Sequence, residues 1–449
     1  MLAKIIRVGV ALSMIILLGL GVYFYFGYQR IDQRNYNPDV SINENKNYVI
    51  EIWDLKNPNF FILEEDQQRV WNEIAVSLQE KYSNVQLEVK LLSEEEYTKK
   101  ITTGIKKKNM ADIVIDWYGT PFIDTELQIP INKYMQLDDG TFLNGPLEYV
   151  KYNEDYIGYP LIAKPEMLIA NLEIIEQFED IIGIAVNGWT FEELEKLLSD
   201  IKSTNKKPMN VMDYKGVFTS SLLVQGDVNN VMNGSSLNWY GQTMIDMYVS
   251  LNTYLEQGFL SYNPRWLVDF WHGEVGIIGG IDTWLVAETL ERNEKLKGSE
   301  IKGAGSTKEI NTFLMPYPHK RDYTQRYAMS TVSAIPFSQG SYKGEDHSKL
   351  VVEIINHLAE IYSLEFSQAP GFIPAKESLT KTWSNKNGLD DFSNRSVQLS
   401  AIHGKPMYSR YFENIKAEQE GIQAIQVLLD EFWQGKKDVG TFFNELNTN

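Results

Sequence analysis

The sequence predicts an α/β protein built as more than one lobe. Three observations carry this. Segments of alternating apolar residues, the two-residue period of a strand, take turns with segments of helical period. The chain has 449 residues, long for one core and suited to two or three. Its composition, 43% hydrophobic and 12% aromatic, is that of a globular chain.

The folded part opens with "YVIEIWD", where apolar residues alternate from Val49 to Trp53 and stop at Asp54, a strand entering the loop "LKNPN". In "EEDQQRVWNEIAVSLQEKY", Val70, Ile74 and Leu78 have helical spacing, and "VQLEVKLL" alternates again. The next helix has a capping start, Ser93 with Glu96 three residues on. "ADIVIDWYG" is a short apolar strand of the kind found in a sheet covered on both faces. Strand, helix, strand, helix, strand implies right-handed crossovers and a mainly parallel sheet. Later helical patterns, "WTFEELEKLLSDIK", "QTMIDMYVSLNTYLEQG", "SKLVVEIINHLAEIYS" and "IQAIQVLLDEFWQGKKDVGTFFNEL", alternate with short strands "EVGIIGG", "TFLMPYP" and "AMSTVSAIP". "GYPLIAKPEMLIAN", residues 158–171, reads as two strands broken at Lys164, Pro165 and Glu166. Pro165 removes a backbone donor and biases Lys164 away from helical angles.

The first thirty residues stand apart. Lys4 and Arg7 precede an apolar run from Val8 to Phe26, which as a helix spans about 28 Å, near the hydrocarbon thickness of a bilayer. The one small-x-small triplet, Gly19-Leu20-Gly21, lies inside the run, and the run ends in aromatic residues suited to a membrane interface. Residues 1–28 therefore read as an uncleaved anchor in preference to a cleaved signal peptide, which sends the rest of the chain out of the cytoplasm. Residues 29–47 are polar, lack a periodic apolar face and read as a tether.

Composition removes several functions. A formal charge of −18, from 42 basic and 60 acidic residues, disfavours nucleic acid or an anionic membrane surface as main partner. Without cysteine there is no disulfide, thiolate metal site, cysteine nucleophile or cysteine-linked lipid. His272, His319, His347, His357 and His403 lack metal-ligand spacing. No nucleophile elbow, phosphate loop or dinucleotide fingerprint occurs. Adjacent carboxylates in "SEEEY" and "LDDG" point in different directions and make no acid/base pair. The expectation is no enzyme, no metal and no cofactor.

The aromatic residues are more informative. Trp117 and Tyr118 follow "DIVI", Trp284 follows "GGID", and Tyr408 and Tyr411 flank Arg410. Ligands of open α/β sheets bind beyond the carboxyl ends of strands. Flat rings beside carboxylates and amides suit a sugar, with its alternating C–H faces and hydroxyls. Each ring also suits a core: Trp117 and Tyr118 cannot both face one side of a strand. Arg410 equally suits a surface ion pair.

Six segments in order, from residue 48 to 449, carry a resemblance. They are "LQEKYSNVQLEVKLLSEEEYTKKITTGIKKKNMADIVI", "IGYPLIAKPEMLIAN", "NGWTFEELEKLLSDIK", "FWHGEVGIIGGIDTW", "PGFIPAKES" and "FWQGKKDVGTFFNEL". Together they resemble the family 1 extracellular solute-binding proteins of ATP-binding-cassette importers, the group that includes maltose-binding protein. Ala111 stands where proline is usual, and the lipoprotein cysteine of Gram-positive members is absent. The resemblance implies a two-lobed, periplasmic-binding-protein-like (type II) fold with hinge crossings. Lobe 1 would comprise residues 48–164 with 330–404, and lobe 2 residues 165–329 with 405–449. "GYPLIAKPE" would be the first crossing, with Lys164 in contact with ligand. Asp116, Trp117 and Tyr118 would line one wall, Asp282 and Trp284 the other, and Tyr408 and Arg410 a third contact. The function implied is a monomeric extracytoplasmic receptor that binds a mono- or oligosaccharide and delivers it to a permease. The alternative is a membrane-tethered sensor or interaction module that does not transport.

Overall fold

The computed structural model describes residues 36–58, 62–117, 127–137, 140–152, 154–212, 218, 221–222, 232–233, 236–237, 242–281, 283–298, 308–321, 325–338, 343–406, 428 and 430–446. The apolar N-terminal segment lies outside them, and among the described residues no helix is long and apolar enough to cross a membrane.

The first elements follow the sequence pattern: β1 (Tyr48–Leu55), α1 (Glu64–Lys81), β2 (Val85–Leu92), α2 (Glu94–Lys107) and β3 (Ile113–Asp116). Helix α2 starts with the expected capping box. Ser93 Oγ accepts from the Glu96 N–H, and the Glu96 carboxylate accepts from the Ser93 N–H. Two donors that a helix end leaves orphaned are thereby satisfied. There follow β4 (Tyr159–Pro165), β5 (Met167–Asn171), α3 (Phe191–Ser203), β6 (Lys207–Val211), α4 (Gln242–Glu256), β7 (Leu260–Ser261), β8 (Val275–Gly279), α5 (Trp284–Lys297), β9 (Thr312–Pro316), β10 (Tyr327–Pro336), α6 (Glu345–Phe366), β11 (Ile373–Pro374), α7 (Asp391–Ile402) and β12 (Gly404–Pro406), with shorter pieces between them.

These strands form two large sheets. The first runs β11–β4–β10–β3–β1–β2, with β12 beside β10, and the second runs β7–β6–β8–β5–β9. Both are mixed, where the sequence pattern implies mainly parallel pairing. β10 is antiparallel to β3, with Ser333 opposite Asp116, and to β4, with Ser330 opposite Lys164. β5 is antiparallel to β8 and β9. A chain that leaves one sheet and returns to it lays the returning strands against the parallel ones, and apolar alternation carries no direction.

The crossing between sheets is tighter than the expected break. β4 runs on through Lys164 and Pro165, and Glu166 alone separates it from β5. Ser330, opposite Lys164, keeps that lysine in the ladder, and the Glu166 N–H donates to the Ala328 carbonyl at 2.8 Å. Pro165 removes a donor only where the strand is about to leave the sheet. The chain returns to the first sheet between β9 and β10.

Each sheet buries its own core. Ile50, Ile52, Val114 and Ile115 pack with Val70, Trp71 and Ile74 of α1 and with Leu350, Ile354 and Leu358 of α6. Leu168, Met209 and Ile277 pack with Leu194, Leu197 and Leu198 of α3 and with Phe432 and Phe442. A third cluster joins the sheets: Ala163, Met329 and Ile373 of the first, Ile169, Ile278 and Leu314 of the second, and Val397 and Ala401 of α7. Small buried residues on α7, Ser393, Ser396 and Ser400, let its backbone approach closely. Ser393 Oγ accepts the Leu314 N–H at 3.1 Å and so closes the free edge of β9.

Candidate functional site

Near the carboxyl end of β1, Asp54 is fully buried and collects donors from three elements. Trp71 Nε1 donates to it at 2.9 Å, Trp117 Nε1 at 3.0 Å and the Tyr362 hydroxyl at 3.0 Å, besides the Leu55 N–H at 2.8 Å. Trp117 Nε1 also lies 3.2 Å from the Tyr362 hydroxyl, and its ring packs edge-on against Phe366. A carboxylate removed from water is tolerable only with its acceptor sites filled, and here they are. The arrangement pins the end of β1, the start of the segment after β3, and the last turns of α6 to one another.

Burial pushes the Asp54 carboxyl up to about 6, against the pull of its donors. The folded chain thus holds this proton more tightly than the unfolded chain, where an aspartate titrates near 3.8. The stabilising effect is complete below that value, declines as pH rises towards 6, and is flat above. Relative to Asp54→Asn, which does not titrate, the wild-type chain should lose about 2–3 kcal/mol between pH 4 and pH 7 in urea unfolding. A difference that stays constant with pH would show that Asp54 remains charged throughout.

The turn after α6, residues 367–372, is where the two sheets touch through polar groups. Thr283 Oγ1, at the start of α5, donates to the Pro370 carbonyl at 2.5 Å. Gly371 has φ +80°, and a Cβ there would meet Thr283 Cγ2 at 2.5 Å. Its neighbour Phe372 lies under Lys164, whose Nζ is 5.3 Å from the ring centroid. Trp284 follows Thr283 directly; half-buried, it packs edge-on against Trp266 at 6.2 Å.

The fold as a whole is shared with solved structures. The sugar-binding protein MalE from the phytopathogen Xanthomonas citri superposes with a TM-score of 0.66 at 14% identity, over 89% of this chain and 95% of that one. A cyclo/maltodextrin-binding protein complexed with maltotetraose gives 0.62 at 15%, over 89% and 95%. The binding protein MsmE from Bacillus subtilis, in an open conformation, gives 0.63 at 10%, over 90% and 96%. The chain has their two-lobed fold. No family model matches the sequence, and no curated protein does.

Within this two-lobed fold the expected ligand residues fall into three groups. Lys164 and Trp284 are half-buried, and Lys164 together with Thr283, next to Trp284, reaches the turn 367–372 from opposite sheets. Asp116 and Trp117 are buried at 1% and 2% exposure, so in this conformation Trp117 packs inside the first sheet's core. Tyr118, Asp282, Tyr408 and Arg410 lie outside the described residues. Sequence reasoning missed Asp54, read only as the end of a strand, and the turn itself. The one available signal for the turn was "PGF", a glycine after a proline between a helix and a strand. Among the described residues no group of three histidines or carboxylates could hold a metal ion.

Proposed function

We propose that this chain is an extracytoplasmic receptor that closes two lobes around a carbohydrate and delivers it to an ATP-binding-cassette permease, held at the membrane by residues 1–28. The observation that carries this reading is the junction: Lys164, half-buried at a crossing of a single residue, and Thr283, followed by the half-buried Trp284, both reach the turn 367–372. The likeness in fold to a sugar-binding protein and to a receptor solved with maltotetraose supports a sugar as ligand. In this reading lobe 1 is 48–164 with 330–404, and lobe 2 is 165–329 with 405–449. Tyr118 lines the first wall with Asp116 and Trp117 buried behind it, Asp282 and Trp284 line the second, and Tyr408 and Arg410 add a third contact. Closure follows because a ligand touching both walls binds the closed form better than the open one. Selectivity comes from hydrogen bonds that a wrong solute leaves unpaired.

A thermal-shift screen of the chain against mono- and oligosaccharides tests the reading, with amino acids and polyamines as controls. A ligand of the folded state at a hundred times its Kd adds about 2.7 kcal/mol and must raise the melting temperature. A shift confined to one sugar class supports the proposal, and none across the panel removes it. With that sugar, Trp284→Ala should weaken binding roughly tenfold or more, the cost of losing an aromatic face of about 1.4 kcal/mol or more. The ligand-free variant should still melt cooperatively. Unchanged affinity with a steep loss of melting temperature would make Trp284 a core residue only.

A further inference from the structure

We infer that residues 36–46 are a strap built into lobe 1, not a free linker, and that they make lobe 1 the stationary half of the molecule. The composition of this stretch is that of a tether, yet several of its backbone and side-chain polar groups bond to lobe 1. Lys349 Nζ, on α6, donates to the carbonyls of Pro38 at 2.8 Å and Val40 at 2.9 Å. The Asn37 N–H donates to Glu345 at 3.1 Å, and the ring of Tyr36 packs edge-on against Tyr134 at 6.0 Å. Asn43 donates its N–H to the Tyr48 hydroxyl at 3.1 Å, and that hydroxyl donates to Asp346 at 2.6 Å. Lys46 reaches the same Asp346 at 2.9 Å, and Asn84 Nδ2 donates to the Lys46 carbonyl at 2.7 Å. Ile42 adds an apolar contact to the core of the first sheet.

The place of attachment gives the strap its consequence. Tyr48 and Asn84 stand at the amino ends of β1 and β2, and Asp346 belongs to the first turn of α6. Asp54 and the turn 367–372 lie at the other ends of β1 and α6, and Trp117, bonded to Asp54, lies with them. The strap therefore grips the pole of lobe 1 opposite the junction, and each partner named above belongs to lobe 1. Whatever the N-terminal segment is fixed to, lobe 1 is fixed to it, with the cleft directed away, and lobe 2 is left to swing. The strap stands on its contacts alone; the swing rests on the receptor reading.

The absence of native cysteine makes a clean test possible in the full chain. Nitroxide labels are placed at Ser41→Cys with Glu73→Cys on α1, and at Ser41→Cys with Glu291→Cys on α5. Pulsed electron resonance then reads each distance distribution. The expected result is a narrow Ser41–Glu73 distance that no sugar changes, and a Ser41–Glu291 distance that shifts when the sugar found by thermal shift is added. Adding Lys349→Met should broaden the first distribution while the lobes still melt cooperatively. A Ser41–Glu73 distribution as broad as that of a free chain of this length overturns the strap. If Ser41–Glu73 shifts with sugar and Ser41–Glu291 does not, lobe 1 is the moving half and the assignment falls. If Ser41–Glu73 is narrow and no sugar alters either distance, the receptor reading and the swing fail together, and the strap stands.

Discussion

Trp117→Ala is expected to destabilise the chain by about 4 kcal/mol, within the range for removing a buried large aromatic side chain. The ring is 2% exposed and packs against both Tyr362 and Phe366. Its removal leaves a cavity and also takes one donor from Asp54, a carboxylate with no access to water. Trp117→Phe separates the two effects. Phenylalanine restores most of the packing and no N–H, so its cost should be about 1–3 kcal/mol, that of leaving a buried acceptor short. Urea unfolding of both variants supplies the numbers. If Trp117→Ala costs less than about 1 kcal/mol, the ring is not held as described, and Trp117 regains its claim as an open platform for ligand.

Gly371→Ala should cost about 3 kcal/mol from two separable sources. A backbone at φ +80° penalises any residue with a Cβ by about 1–2 kcal/mol. The new methyl also overlaps Thr283 Cγ2 at 2.5 Å, and overpacking of this kind costs about 1–3 kcal/mol. Thr283→Ser keeps the hydroxyl that donates to Pro370 and deletes the offending methyl. In that background Gly371→Ala should cost less, the backbone part plus the smaller crowding against Cβ and Oγ1 of residue 283, each 3.0 Å from the new methyl. A double-mutant cycle measures the coupling directly. Zero coupling would mean that the lobes do not meet at this turn in solution.

How much of this was legible depends on where each signal is stored. β1, α1, β2, α2 and β3 announce themselves because period and cap are local, and Ser93 with Glu96 needs only three residues to be recognised. The Asp54 arrangement has no such signature. Its donors Trp71, Trp117 and Tyr362 stand 17, 63 and 308 residues along the chain, so the sequence shows an aspartate ending a strand and nothing more. The direction of β10 was hidden for the same reason: its partners in β3 and β4 lie far before it. Residues 36–46 were misleading in another way. Their contacts run largely through backbone carbonyls and amides, which every residue carries, and so leave no trace in an apolar pattern. At the junction, the resemblance pointed to Lys164 and Trp284, while the turn that Lys164 and Thr283 share entered only as the start of "PGFIPAKES", with no role given to it.

The crossing has a mechanical meaning. Only Glu166 separates β4 from β5, its N–H is tied to Ala328, and Pro165 before it has a locked φ. A joint with so few soft torsions acts as a leaf spring, not as a ball joint. With the return passage between β9 and β10, it keeps the lobes from tumbling independently. In the proposed receptor, capture and release would both bend this crossing together with the return passage between β9 and β10.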